Sequence, residues 1–355
     1  MKRFLPLLLA VTALAGFPAA AQQNAPTLQI DATNALTMPD DLSVYLGEVD
    51  GVATDSKGNI FVYNRTGHPF VTLGGARAFA HGGATLYQFD KDGKFVREIG
   101  HNAYGFMFGN GVRVDPQDNI WVIDQMSNMI IKFNPEGQQV MLLGRKAEAI
   151  PIPARGPAPA GEGGAAGRGQ PGAGAQNDVF NRPSDVTWDA QGNIYVADGQ
   201  GNARVAKFTK DGVFVKSWGF KGTGEGQFDI VRGIQIDAQG NVYVADGGNN
   251  HRIQVFDTDG NFKRQITGLG NPQAICLTKG ADPILWVSNT NPPNNFDVAG
   301  EIYKMKTDGT VLGKFGRAGK MLKEFGTVNA IDCRNENTLY IGEIANLRVQ
   351  KVVVH

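Results

Sequence analysis

The pattern Asp-x-x-Gly-Asn followed by a β-branched and aromatic run returns along the chain, and a repeated unit of this kind leaves few folds open. It occurs at Asp55 to Val62, Asp189 to Val196 and Asp237 to Val244, and again at Asp115 to Val122 with Asp118 in place of the glycine. Weaker copies end in Ile284-Leu285-Trp286-Val287 and Thr338-Leu339-Tyr340-Ile341, which makes six. An alternating strand precedes each copy, and the turn residues tolerate left-handed backbone, so each reads as a β-hairpin. A second hairpin signal follows in five repeats, at Phe89 to Gly93, Phe133 to Gly137, Phe208 to Gly212, Phe256 to Gly260 and Met305 to Gly309. Two hairpins give four strands. The spacing from Tyr195 to Tyr243 to Trp286 suits propeller blades of about 40 to 50 residues. The expectation is an all-β, six-bladed β-propeller with four antiparallel strands per blade, each blade packing only on its neighbours.

The last repeat ends at Val354 and has room for three strands. The alternating segment Thr27-Leu28-Gln29-Ile30-Asp31 belongs to no earlier hairpin and is expected to supply the fourth, removing an exposed sheet edge. Between Pro151 and Ala175 only Ile152, Arg155, Glu162, Arg168 and Gln170 are not Gly, Ala or Pro. Such a composition buries too little apolar surface to offset its ordering entropy, so residues 146–177 read as a disordered insertion between blades two and three. The Gly-rich stretch Gly67 to Gly83 lengthens blade one.

Lys2 and Arg3, the apolar run Phe4 to Leu14 and the small residues Ala19 to Ala21 form a secretory signal peptide over residues 1–21. The propeller then occupies residues 22–355, exported to a periplasmic or extracellular space. That apolar run is too short for a bilayer of about 30 Å, and no later segment resembles a membrane span. Cys276 and Cys333 read as two buried thiols, with a bridge between them as the alternative that an exported compartment permits. Lys and Arg number 34 against 34 Asp and Glu, so the chain lacks the basic excess of a nucleic-acid or anionic-membrane binder.

Repeat register locates the channel. The residue entering the innermost strand of successive blades is Asp50, Asn110, Ser184, Arg232, Gln273 and Asn329, all polar. Pseudo-symmetry puts them at one level around one mouth, with Asp50 across from Arg232 and Asp185 just behind Ser184. A water-filled polar channel satisfies such a ring without a ligand; a site for a small molecule or metal satisfies it too. The five histidines, His68, His81, His101, His251 and His355, match no compact metal motif and read as surface residues. Asp198 with Arg204 and Asp246 with Arg252 recur, which argues for pairing between blades rather than chemistry.

Gly192 to Asp198 with Asn202-Ala203-Arg204-Val205, and Gly240 to Asp246 with His251-Arg252-Ile253, resemble the NHL-repeat family of six-bladed propellers. Within it the chain looks most like the peptidyl-α-hydroxyglycine α-amidating lyase branch. That resemblance implies a zinc ion on three histidines, but the matching positions are Asn110, Arg232 and Asn329. Amides substitute poorly for imidazole on zinc and a guanidinium cannot ligate, so zinc is not expected at the family site. The family's active-site tyrosine falls on Gln200 and its carboxylate on Ala330, while its arginine is matched by Arg65. Oxygens of Asp50, Asp185, Asn110, Gln273 and Asn329 suit calcium and also resemble gluconolactonase-type propellers, with Arg232 opposing a cation at the centre.

The resulting expectation is an exported propeller that binds a peptide, a small anionic molecule or a protein partner at its channel mouth, with no nucleic acid and no membrane span. Arg65 would be the catalytic or carboxylate-holding residue, and Asp50, Asn110, Ser184, Asp185, Gln200, Arg232, Gln273 and Asn329 would complete the mouth. The alternative is an enzyme, either a diverged amidating lyase or a calcium-dependent channel hydrolase.

Overall fold

The computed structural model describes residues 24–41, 43–67, 71–73, 77–79, 83–144, 179–292 and 294–355. The leader 1–21, the insertion 146–177, His68 and His81 lie outside the described residues. Those that are described form an all-β, six-bladed propeller with no helix, hence none long and apolar enough to cross a membrane.

The innermost strands are Glu48–Thr54, Gly109–Val114, Asp185–Trp188, Ile230–Ile236, Pro272–Leu277 and Val328–Asn335. Each starts an antiparallel four-stranded sheet. The recurring Asp makes the first turn of a blade: Asp55 accepts the backbone N–H groups of Lys57 and Asn59 and the amide of Asn59, and Asp189 and Asp237 do the same in blades three and four. The aromatic that follows reaches back to this carboxylate, as Trp121 does to Asp115 and Tyr195 to Asp189. Gly58 adopts φ 85° in this turn, and Asp118, in its place in blade two, holds φ 61°. The side chain of Asp118 accepts the backbone N–H and hydroxyl of Ser56 in blade one, which offsets the cost of the left-handed conformation.

Alternation along each strand sends side chains into both flanking interfaces, so the core divides into one cluster per blade pair. Phe61, Trp121, Tyr195, Tyr243 and Trp286 sit in five successive clusters, and Tyr340 packs against the sixth. The recurrent aromatics are inter-blade packing groups. The recurrent acid and arginine pair inside a blade, not between blades as expected from recurrence alone: Arg204 Nε donates to Asp198 at 2.8 Å and Arg252 Nε to Asp246 at 2.9 Å. These residues face one another on adjacent strands of one sheet. The link to the next blade is indirect, since the arginines also donate to carbonyls of the connection between blades, such as Val179 and Gly224, while each carboxylate accepts a backbone N–H from that connection.

Blade six is completed from the other end of the chain. Its added strand is Ile30–Asn34, paired antiparallel with Arg348–Val354. It begins three residues later than the alternation suggests, because residues 26–28 are used elsewhere: Leu28 and Pro26 exchange backbone hydrogen bonds with Lys314 on the outer strand of blade five. Cys276 and Cys333 are not two thiols but a disulfide joining the innermost strands of blades five and six. The two positions lie on neighbouring inner strands, a proximity that a separation of 57 residues conceals.

Deleting residues 22–35 is expected to expose the edge of Arg348–Val354. Five paired residues at about 1 kcal/mol per hydrogen bond put the loss near 5 kcal/mol. Denaturant unfolding and amide exchange of that strand read the effect, and unchanged protection there would refute the closure.

Candidate functional site

At the start of the inner strands the ladder is interrupted. Asp50, Asn110 and Asn329 are each the extra residue where the register shifts between Val49 and Gly51, Gly109 and Gly111, and Val328 and Ala330. Shifts between Val231 and Ile234 and between Pro272 and Ile275 release Arg232 and Gln273 in the same way. Bulges re-aim side chains, and here they turn these residues toward the axis. All six ring positions, Asp50, Asn110, Ser184, Arg232, Gln273 and Asn329, line one opening. It holds about 20 Å³, the room of a single water.

Four of the six spend their polar groups on the ring itself. The Asn110 amide donates to the Ser184 carbonyl at 2.8 Å, and Ser184 Oγ to the Val231 carbonyl at 2.6 Å. Gln273 donates to the Asn329 side chain, whose own amide donates to the carbonyls of Asp50 and Asn110. The two charged members differ. Arg232 makes no hydrogen bond or ion pair among the described residues, and its buried Nε has no acceptor. Desolvation makes its guanidinium a weaker base, and only the charge of Asp229 opposes this. Asp50 is fully buried and meets Arg65, not Arg232, in an ion pair of 2.6 Å. That contact is not aligned as a hydrogen bond, and neither carboxylate oxygen has a hydrogen-bond partner. Burial pushes the Asp50 carboxyl well above its ordinary range, Arg65 opposes that, and the neighbouring Glu48 and Asp124 add to it.

Arg65 is held on all sides. Nε donates to the Gly109 carbonyl at 2.9 Å, Nη1 to Glu48 at 2.9 Å and Nη2 faces Asp50, while the guanidinium lies 3.7 Å from the centre of the Phe108 ring. Gln200 is not among the residues lining the opening; it pairs with Arg182 and Gln125.

Asp185 lies one step deeper and is claimed by a residue the repeat reading passed over. Arg113 donates to both its oxygens, Nε at 2.8 Å and Nη2 at 2.7 Å, and reaches the carbonyls of Ile275 and Ile331 on the inner strands of blades five and six. Asp185 also accepts the backbone N–H of Ile234 in blade four. The pair closes the channel between its two ends. A signal existed: where five inner strands carry Gly51, Gly111, Gly233, Ala274 and Ala330, blade three carries Asp185, and the channel-facing position two residues further on is Arg113 in blade two.

These donors do not suit a metal. Asn110 and Asn329 direct their amide N–H groups at carbonyls, Arg232 shares the opening, and the Asp50 carboxylate is held by Arg65. Among the described residues no three of His, Cys, Asp and Glu cluster as a metal site. Neither a zinc nor a calcium ion fits this set.

The NHL repeat pattern matches residues 180–208 and 228–256. Peptidylglycine alpha-amidating monooxygenase of Rattus norvegicus is 25% identical over 205 residues, 53% of this chain and 18% of that protein. Peptidyl-alpha-hydroxyglycine alpha-amidating lyase 1 of Drosophila melanogaster is 26% identical over 189 residues, 50% of this chain and 30% of that protein. The matches thus span under a third of those relatives. A gluconolactonase from Xanthomonas campestris superposes with a TM-score of 0.58 at 15% identity, over 96% of this chain and 99% of that one. A streptogramin B lyase superposes at 0.54 with 13% identity, over 92% and 98%. These structural likenesses bear on the fold alone.

Two outcomes test the site's electrostatics. Arg113→Met strands Asp185 and is expected to cost about 3 to 5 kcal/mol, most of it recovered when Asp185→Leu is added; urea unfolding that finds the single change neutral excludes the plug. The second concerns pH. The folded state holds the Asp50 proton to higher pH than the unfolded chain, so stability falls as pH rises from the unfolded pKa to the folded one. Asp50→Asn is expected to gain on the wild type across that interval by about 1.4 kcal/mol for each unit of elevation, and a difference flat from about pH 4 to 9 would overturn it.

Proposed function

We propose that this chain, which carries NHL repeats on a six-bladed propeller and is distantly homologous to peptidyl-α-hydroxyglycine amidating lyases, is an exported binding protein for a carboxylate-bearing ligand, the free C-terminus of a peptide, laid across the Asp50 mouth. The observation that carries this reading is Arg232, a largely desolvated guanidinium with no partner among the described residues, in a ring whose neutral members bond to one another and to neighbouring carbonyls. The planar fork of arginine matches a carboxylate by paired hydrogen bonds. An opening of about 20 Å³ admits no ligand body, so the ligand rests on the mouth. Arg65 acts through Asp50, holding that carboxyl in place. The names of the relatives supply the peptide class, and the disulfide suits an oxidising compartment.

A second reading, a diverged lyase, is favoured by one feature: the proton affinity of Asp50, raised by burial, is the tuning that general acid or base chemistry uses. In that reading Asp50 exchanges a proton with the ligand, and its loss abolishes turnover rather than binding.

The test titrates the wild type and Arg232→Gln with an acetylated pentapeptide ending in a free glycine carboxylate and with its C-terminal amide. Wild type is expected to prefer the free acid, and Arg232→Gln to lose at least tenfold in affinity for it, about 1.4 kcal/mol, at an unchanged melting temperature. Equal binding of acid and amide, or full affinity in Arg232→Gln, would sink the proposal.

A further inference from the structure

The opposite end of the channel is the roomier one. Beyond Arg113, which lines both openings, lies a cavity of about 420 Å³ at the mouth where the Asp-x-x-Gly-Asn turns gather. That volume is in the range of small-molecule sites. Its wall is largely apolar and includes Trp188, which leans on Trp121.

The repeat breaks at this mouth. In register, blades one to four carry a turn carboxylate at Asp55, Asp115, Asp189 and Asp237, while blade five has Thr278 followed by Lys279 and blade six has Arg334. A residue shared by several blades serves the scaffold; one that departs from the pattern answers to something local. Lys279 and Arg334 both line the cavity. Lys279 makes no hydrogen bond or ion pair among the described residues, and Arg334 gives its side chain only to the Val114 carbonyl at 3.3 Å. The acids of the wall are already engaged. Asp332 accepts the N–H and hydroxyl of Thr54, and Asp237 is bound into its own turn and to Tyr243. Lys279 holds its proton less tightly than an ordinary lysine, through desolvation and then the charge of Arg334, which Asp118 and Asp332 do not fully offset. Two cationic side chains are therefore held at one cavity with no carboxylate paired to either among the described residues, although Asp332 accepts the backbone N–H of Arg334. The disulfide braces them, since Cys333 directly precedes Arg334 and Cys276 stands three residues before Lys279.

We propose that this mouth is a second binding site, for a small organic anion whose charged head lies between Lys279 and Arg334 and whose apolar body lies against Trp188. It is separate from the peptide-carboxylate reading, because the Arg113–Asp185 pair stands between the two openings.

Trp188 is the one of four tryptophans that lines this cavity, so its fluorescence reports occupancy. Phenylacetate is titrated against phenylacetamide into the full chain, following that emission and the heat of binding. The wild type is expected to take phenylacetate at least tenfold more tightly than the amide. Lys279→Gln and Arg334→Gln are each expected to lose at least tenfold, Arg232→Gln to lose nothing, and Trp188→Phe to lose the optical signal while binding heat remains. Both Gln variants are checked for a wild-type melt; Lys279 is exposed, so that change alone decides if Arg334→Gln fails to fold. Absence of phenylacetate binding, equal binding of the neutral amide, or full affinity in Lys279→Gln would overturn the proposal.

Discussion

One buried ion pair governs the axis of this molecule. Arg113 crosses from blade two to the Asp185 carboxylate of blade three and touches the backbone of blades five and six, while Asp185 takes an N–H from blade four. Taking both charges out of water costs several kcal/mol each, and the bidentate geometry with its added hydrogen bonds is what offsets that cost. Removing either partner would leave the other charge buried without its counter-charge. The pair also lies between the two openings, both of which Arg113 lines.

The two mouths are built by different means. At the Asp50 end, bulges turn polar side chains inward, the neutral members bond to one another and to neighbouring carbonyls, and Asp50 is taken by Arg65, which leaves Arg232 without a partner among the described residues. At the far end, turns make the rim, and their repeated carboxylates are consumed in holding their own loops. Only where blades five and six abandon the repeat does charge become available to a ligand.

Much of this was legible before any coordinates. A strict turn signature with a fixed aromatic offset specifies hairpins, blade number and the shared level of the six ring residues. What escaped were interactions between residues distant in sequence and not repeated. Arg113 sits in an ordinary alternating strand, and only its height on the axis shows that it meets Asp185. Whether Cys276 and Cys333 are thiols or a bridge depends on the lateral spacing of two inner strands, which repeat periodicity does not fix. The Asp198 to Arg204 pair shows the reverse error: recurrence correctly marked a scaffold role, yet the contact lies across one sheet because the two positions are register partners.

Blade six has a temporal consequence. Its outer strand, Ile30–Asn34, is among the first parts of the propeller to be synthesised, and its partner, Arg348–Val354, is the last. At about 5 to 20 residues per second the early strand waits on the order of 15 to 60 seconds for its match. Until the ring closes, the outer face of its last blade has no neighbour to pack against. The burden on the cell is therefore one of custody rather than of final stability.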